Sequence, residues 1–240
     1  MTAQCLATIF KSSYPKDLYE IIIIDNASTD NTNKLLEYLV EQGEPIKVIH
    51  NDTNLGYLLA ANQGWKEVKT PFCLHLNNDI VLNSDCISIL RKTFDIDQKI
   101  GIVGAVQYYQ NGGRNPPLSF FYRGNADIGN VYKKEVESDD IPFVEADIGG
   151  GFGCAMVKRE VWEQVGFYST EFEPCHYDQE DFCLKAKEAG WKIGCAPTAH
   201  VLHFVAQTTG FNLPYYTSIC DRNREIFRKK WGDKLRQNKV

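Results

Sequence analysis

Three groups of acidic residues stand where a carboxylate can do chemistry. Asp25 closes the apolar run Tyr19–Asp25, Asp79 closes Phe72–Leu76-Asn77-Asn78-Asp79, and Asp178-Gln179-Glu180-Asp181 opens a helical stretch. Carboxylates gathered at one crevice repel each other unless a cation or a ligand's donor groups lie between them. Any one group alone reads as solvated loop acids; together they point to a bound cation or to a ligand rich in donors. His203 adds to this, since it ends Ala199-His200-Val-Leu-His203-Phe, a strand leading back toward the same edge. Asp79 and His203 can hold a divalent ion with further positions left open, enough to neutralise a diphosphate. His200 and His176 read as satisfied surface or core residues.

The elements that must position these groups alternate. Ile21–Ile24 is a β-branched block without alternation, the pattern of a strand covered on both faces. Asn26-Ala-Ser28-Thr-Asp30 follows, with Ser28 or Asp30 as cap for a helix carrying Leu35, Leu36 and Leu39 on one face. Pro45–His50 and Phe72–Leu76 read as strands, Tyr57–Val68 and Asp85–Phe94 as helices, and Ile100–Val106 as a strand. From Tyr108 to Asp147 the periodicity fades, Asn111–Pro117 being the most loop-like part, and long aperiodic stretches often serve as lids or binding loops. Helices return over Arg159–Val165 and Asp181–Ala189, and strands near Trp191–Cys195 and Val201–Phe204. The expected fold is α/β, a mostly parallel central sheet with helices on both faces and its ligand beyond the carboxyl ends of the strands. The 240 residues read as one domain in three stretches: 1–106, where strands and helices alternate, 107–211, and a basic helical tail over 212–240.

Composition excludes several classes. With 43% hydrophobic and 24% charged residues the chain is neither disordered nor, by its longest apolar runs, membrane-spanning. A net charge of −5 argues against a protein built to coat nucleic acid. The segment from Asp221 to Val240 is strongly basic; a solvated helix face is the plainer reading, and contact with an anionic membrane surface or a phosphorylated ligand the sharper one. The eight cysteines sit in apolar stretches without C-x-x-C spacing, and buried free thiols are expected, with a cytoplasmic location or one peripheral to the inner face of a membrane. No G-x-x-x-x-G-K-[ST], no G-x-G-x-x-G after a strand and no G-x-S-x-G occurs, so P-loop, dinucleotide-binding and esterase-type readings lose their devices. The only Gly-rich turn, Gly149–Gly153, has no basic partner at the required spacing. Leu118–Tyr122 and Phe211–Tyr216 are aromatic stretches that could stack on sugar rings or pack in the core.

In this order the residues resemble the inverting family 2 glycosyltransferases of GT-A fold. Ile21–Asp30 is similar to the family's strand and nucleotide-binding turn, and Asn54-Leu-Gly56 with Ala61-Asn62-Gln-Gly64 to its N-x-G…A-x-N-x-G helix. Leu76-Asn77-Asn78-Asp79 is similar to its D-x-D-type metal motif, with Asn in the first acidic place. Val157–Phe167, Tyr177–Lys185 and Ala189-Gly190-Trp191 resemble the acceptor-side segment, and Pro197–His203 the segment bearing the metal-binding histidine. The resemblance implies transfer of a sugar from a nucleoside-diphosphate sugar to a glycan, lipid-linked or protein hydroxyl, in polysaccharide or glycoconjugate synthesis. It implies Asp25, Asn26, Ser28, Asn54, Gly56, Asn62, Asn77 and Asn78 as nucleotide-sugar contacts, and Asp79 and His203 as ligands of Mn²⁺ or Mg²⁺.

Two departures from the family pattern matter. The family's E-D-x-D reads here Asp178-Gln179-Glu180-Asp181, with Gln179 in the place of the base, so that role passes to Asp181, narrowly preferred, or to Asp178 or Glu180. Thr2–Pro15 resembles the family's first helix, so the opening strand and its nucleotide-contacting turn are expected to be missing. Such a sheet exposes unpaired backbone unless another segment fills the gap. A non-catalytic nucleotide- or glycan-binding member of the fold is the first alternative, favoured by Gln179. A sugar-phosphate nucleotidyltransferase is the second, opposed by the lack of a Gly-rich basic loop before Asp25.

Overall fold

A computed structural model describes residues 1–110, 118–122, 127–130, 140–149, 152–204 and 213–237, some of them by backbone alone. The stretch Asn111–Pro117, the middle of the Gly-rich turn, Phe211 and the side chains of Leu118–Tyr122 lie outside what is described. Helix α1 (Thr2–Phe10) precedes β1 (Ile21–Asp25), α2 (Thr32–Glu41), β2 (Ile46–His50), α3 (Tyr57–Glu67), β3 (Phe72–Leu76), β4 (Ile80–Leu82), α4 (Cys86–Thr93) and β5 (Ile100–Tyr109). Then come β6 (Leu118–Tyr122), β7 (Asp127–Asn130), β8 (Val144–Glu145), β9 (Ile148–Gly149), β10 (Cys154–Lys158), α5 (Arg159–Val165), α6 (Asp178–Glu188), β11 (Lys192–His203) and α7 (Leu213–Arg236). The stretch expected to be aperiodic thus contains strands, with β7, β6 and β9 forming a small antiparallel sheet.

The principal sheet runs β3-β10-β5-β11-β4, with β8 also on β11. It is mixed, not mostly parallel: β11 is parallel to β5, but β10 is antiparallel to both neighbours and β4 is antiparallel to β11. The reversal follows from β10 entering between β3 and β5 after the excursion through β6–β9, which no βαβ alternation foretells. Side chains alternate across it. Cys154 and Met156 of β10 join a cluster with Leu6, Ile9, Leu36 and Leu90 from α1, α2 and α4. Ala155 and Val157 face the other way, into Leu58, Trp65, Phe182, Phe227 and Trp231 from α3, α6 and α7. Helices therefore cover both faces, as expected.

Strands β1 and β2 make a parallel pair of their own. Ile21 and Ile23 share the first cluster with Leu74 and Leu76 of β3, yet among the described residues no ladder joins β1 to β3. The run Ile21–Ile24 is only half-buried, where the sequence pattern predicts a strand covered on both faces.

Strand β11 is one element where two were expected. Between Ala196 and His200 its register on β5 shifts, and this irregularity sets His203 beside Tyr109 of β5 and Ile80 of β4, next to Asp79. The cap of α2 falls at Asn31, not at Ser28 or Asp30, and makes no side-chain cap bond; Asp30 instead closes a local turn ahead of the helix, its Oδ1 accepting the Thr32 N–H at 2.9 Å. All eight cysteines are free thiols, and burial pushes those of Cys5 and Cys73 up to about 12, where they stay protonated and inert.

Helix α7 buries Ile219, Asn223, Phe227, Trp231 and Leu235, a strict four-residue stripe. Its basic side chains are largely engaged: Arg224 with Asp221, Arg228 with Glu225, Lys230 with Glu171, Lys234 with Glu188 and Arg236 with Asp233. That pairing accords with the plainer reading of the basic tail. No described helix is long and apolar enough to cross a membrane.

Candidate active site

Asp79 and His203 meet across β4 and β11, with His203 Nε2 3.2 Å from Asp79 Oδ1. Asp79 is buried, and this Oδ1 accepts no hydrogen bond. A buried carboxylate oxygen left without a donor costs free energy that a positive charge would recover. The His203 ring is fixed from behind, its Nδ1 2.7 Å from Gln107 Oε1. The Phe204 N–H donates to the Asp79 carbonyl at 3.0 Å, tying the end of β11 to the loop carrying the acid. Asn77 is held by its own N–H on the Gly153 carbonyl at 2.9 Å, and exposed Asn78 donates to Thr2 Oγ1 at 3.1 Å. An imidazole nitrogen facing an orphaned carboxylate oxygen fits one divalent cation held between them.

The Asp25 and Asn26 region is more tightly self-satisfied than its sequence suggests. Burial alone would push the Asp25 carboxyl up, but Ser28 and His50 outweigh it and hold it below its ordinary range. Asp25 Oδ1 accepts the Ser28 N–H at 3.1 Å, and Oδ2 lies 3.1 Å from His50 Nδ1. Asn26 donates to Asn54 Oδ1 and accepts from the Leu55 N–H and from Asn51, while Asn54 Oδ1 also takes the Gly56 N–H at 2.9 Å. Gly56, at φ +82°, makes the turn into α3 in a conformation that favours glycine. Asn62 exchanges both bonds with the Tyr168 backbone, at 2.9 and 3.1 Å, and is buried there. Asn62 thus binds α3 to the acceptor-side segment, and its amide is committed within the protein.

The third acidic group splits into two environments. Asp181 is fully buried: Oδ2 accepts from Ser169 Oγ at 2.5 Å, and Oδ1 accepts from Trp231 Nε1 and Lys230 Nζ, both at 2.8 Å. It is a tie between α6 and α7. Asp178 is also buried, but its Oδ2 makes no hydrogen bond. Burial first, then the charge of Glu180, pushes the Asp178 carboxyl up to about 7, and burial raises Glu180 to about 6.

The chain reaches Asp178 through His176 and Tyr177, both at positive φ (73° and 67°). Left-handed backbone at two successive non-glycine residues costs roughly 1–2 kcal/mol each and persists only where surroundings impose it. Those surroundings belong to α7. Asn223 Nδ2 lies 2.8 Å from the carbonyls of Phe172 and Cys175 and 3.1 Å from that of His176, and Arg224 Nε donates to Tyr177 Oη at 3.2 Å.

Gln179 is anchored by residues that sequence reasoning missed. Its Nε2 donates to Tyr57 Oη at 2.9 Å, and Tyr57 Oη is 2.9 Å from His75 Nε2. Burial lowers His75 to about 4, so it is neutral, and its ring stacks on Trp65. This bridge joins α6 to α3 and to β3, the strand that delivers Asn77 and Asp79. An isolated histidine inside Phe72–Leu76 was the only available signal.

Residues 1–166 match the family model described as glycosyl transferase family 2. The poly(ribitol-phosphate) beta-glucosyltransferase of Bacillus spizizenii is 28% identical over 142 residues, covering 57% of this chain and 21% of that protein. The chain spans about a fifth to two fifths of the length of the curated relatives first matched. Among solved structures, GalNAc-T7 with UDP, GalNAc and Mn²⁺ superposes with TM-score 0.76 at 17% identity, covering 98% of this chain and 46% of that one. S. aureus TarS 1-349 in complex with UDP-GlcNAc superposes with TM-score 0.66 at 15% identity, covering 98% and 66%. These likenesses identify the α/β architecture as the GT-A fold. With the family model spanning well over half of its length, the chain belongs to glycosyl transferase family 2.

Proposed function

We propose that this chain transfers a sugar from a nucleoside-diphosphate sugar to an acceptor hydroxyl, with inversion at the anomeric carbon. The carrying observation is the Asp79–His203 pair, an orphaned buried carboxylate oxygen 3.2 Å from an imidazole nitrogen. Asp79 and His203 would hold Mn²⁺ or Mg²⁺, which supplies charge neutralisation to the departing diphosphate. UDP and Mn²⁺ in the GalNAc-T7 structure support that choice. Asn77 and Asn78, adjoining Asp79 in the chain, would contact the donor, with Asp25 and Ser28 as further nucleotide contacts in this reading.

Asp178, rather than Asp181, is the base in this reading. The acceptor oxygen attacks the anomeric carbon, the bond from that carbon to the diphosphate oxygen breaks with its electron pair leaving on the diphosphate, and the acceptor proton passes to Asp178 Oδ2. A carboxyl raised to about 7 is well matched to taking a proton near neutral pH. Asp181, fixed by a tryptophan, a serine and an ammonium, has no oxygen to spare. The relative acting in poly(ribitol-phosphate) glucosylation supports a polymer or glycoconjugate acceptor.

Calorimetric titration of UDP with Mn²⁺ and with chelator, on the wild type and on Asp79→Ala, tests the donor site. Binding that needs both the ion and Asp79 is expected; ion-independent binding unaffected by Asp79→Ala would refute it. Gln179 favours the second reading, a binding member without turnover, because a carboxamide cannot accept the proton. Donor and acceptor panels that bind without product formation would establish that reading.

A further inference from the structure

We infer that Gln107 and Gly153 are positioning residues that fix the ring orientation and tautomer of His203, so that Nε2 presents a lone pair to the cation shared with Asp79. The inference rests on the cation site proposed above. Gln107 lies on β5 opposite Val201, on the same side of the sheet as His203, and is buried. Its Oε1, an acceptor only, sits 2.7 Å from His203 Nδ1. A short contact between an oxygen acceptor and a ring nitrogen requires the proton to be on Nδ1. In the neutral imidazole, the form that binds a metal, Nε2 then carries the lone pair, facing the orphaned Asp79 Oδ1 at 3.2 Å. Two lone pairs at that separation repel unless a cation lies between them, so the carboxamide makes the pair a ligand set. A histidine whose second nitrogen is held by an oxygen acceptor is how proteins orient metal-binding imidazoles.

Gly153 supplies the space. A Cβ there would lie 3.0 Å from His203 Cε1 and 3.1 Å from both His203 Nδ1 and Gln107 Oε1. Any side chain would press on the contact that sets the tautomer. The same residue accepts the Asn77 N–H, so it also ties the His203 ring to the donor-facing loop. Its glycine identity follows from this close approach, since its φ lies outside the left-handed region.

The test is Mn²⁺ affinity, read by electron paramagnetic resonance of free ion without substrate, on wild type, Gln107→Leu, Gln107→Glu, Gly153→Ala and Asp79→Ala. Gln107→Leu keeps bulk but removes the acceptor and is expected to weaken Mn²⁺ binding 10- to 100-fold. Gln107→Glu, which still accepts from Nδ1–H, should bind within threefold of wild type or more tightly. Gly153→Ala should weaken binding several-fold. Equal weakening by Leu and Glu, or no weakening by Leu, would overturn the inference while Asp79→Ala still abolished binding and upheld the cation site; no binding by wild type would overturn both. A variant that fails to fold is covered by ¹⁵N spectra of the Mg²⁺-loaded wild type, where a proton on Nε2 of His203 instead of Nδ1 contradicts the assignment.

Discussion

Replacing Asp178 by Asn should make the protein more stable and catalytically inert, a combination that a structural carboxylate cannot give. Asp178 is almost wholly buried, and its Oδ2 has no donor. Moving its carboxyl from an ordinary 3.8 to about 7 costs the folded state about 4 kcal/mol at high pH. The raised value fixes the sign. Between 3.8 and 7 the folded chain binds more protons than the unfolded one, so stability is full below 3.8, falls through that window and is level above it. Asn carries no charge and escapes the penalty, so the stability gap should be near zero at pH 4 and reach up to about 4 kcal/mol at pH 8. Glu180 is raised in the same direction in both proteins and largely cancels from the difference. Urea unfolding from pH 4 to pH 8.5 measures the gap, and transfer of sugar from a competent donor should fall roughly 10²- to 10⁴-fold. A variant less stable than wild type at pH 8, or one retaining turnover, would refute the assignment of Asp178.

Other substitutions separate structural from functional roles. Trp231→Phe removes the Nε1–H held by the buried Asp181 carboxylate and should cost about 1.5–3 kcal/mol in urea unfolding, with turnover of the folded protein unchanged. Asn62→Ala leaves the Tyr168 N–H and C=O without partners and should cost about 2–4 kcal/mol; UDP affinity, measured below the unfolding temperature, should stay within twofold, whereas a direct nucleotide contact would lose tenfold or more. Tyr57→Phe breaks the bridge between His75 and Gln179 and should lower stability by about 1–3 kcal/mol while raising the acceptor KM and sparing UDP binding.

The legible parts of this fold are those whose physics is local. Ile21–Asp25, Phe72–Leu76 and the amphipathic α3 announce themselves through runs and periods, while Asp79 and His203 meet because β11 pairs with the short strand β4 that Asp79 precedes. What sequence does not disclose is pairing at a distance. The antiparallel insertion of β10 between β3 and β5 depends on a partner some eighty residues earlier and one some fifty residues earlier, and no periodicity within Cys154–Lys158 carries that information. The same reason accounts for the site. Asp178 and Asp181 sit three residues apart on one helix and carry the same side chain, so local chemistry cannot distinguish them. The difference comes from α7, which reaches back with Trp231 and Lys230 to satisfy Asp181, and with Asn223 to hold the left-handed turn before Asp178. A basic run was all that α7 displayed in sequence, yet it neutralises one carboxylate while one oxygen of the neighbouring carboxylate stays buried without a donor. The environments of the two carboxylates are therefore set apart by the helix that packs on them, and if Asp178 is the base proposed above, replacing Asn223, which holds the turn before it, should alter turnover without touching any residue of the donor site, whereas replacing Trp231, which serves Asp181, should not.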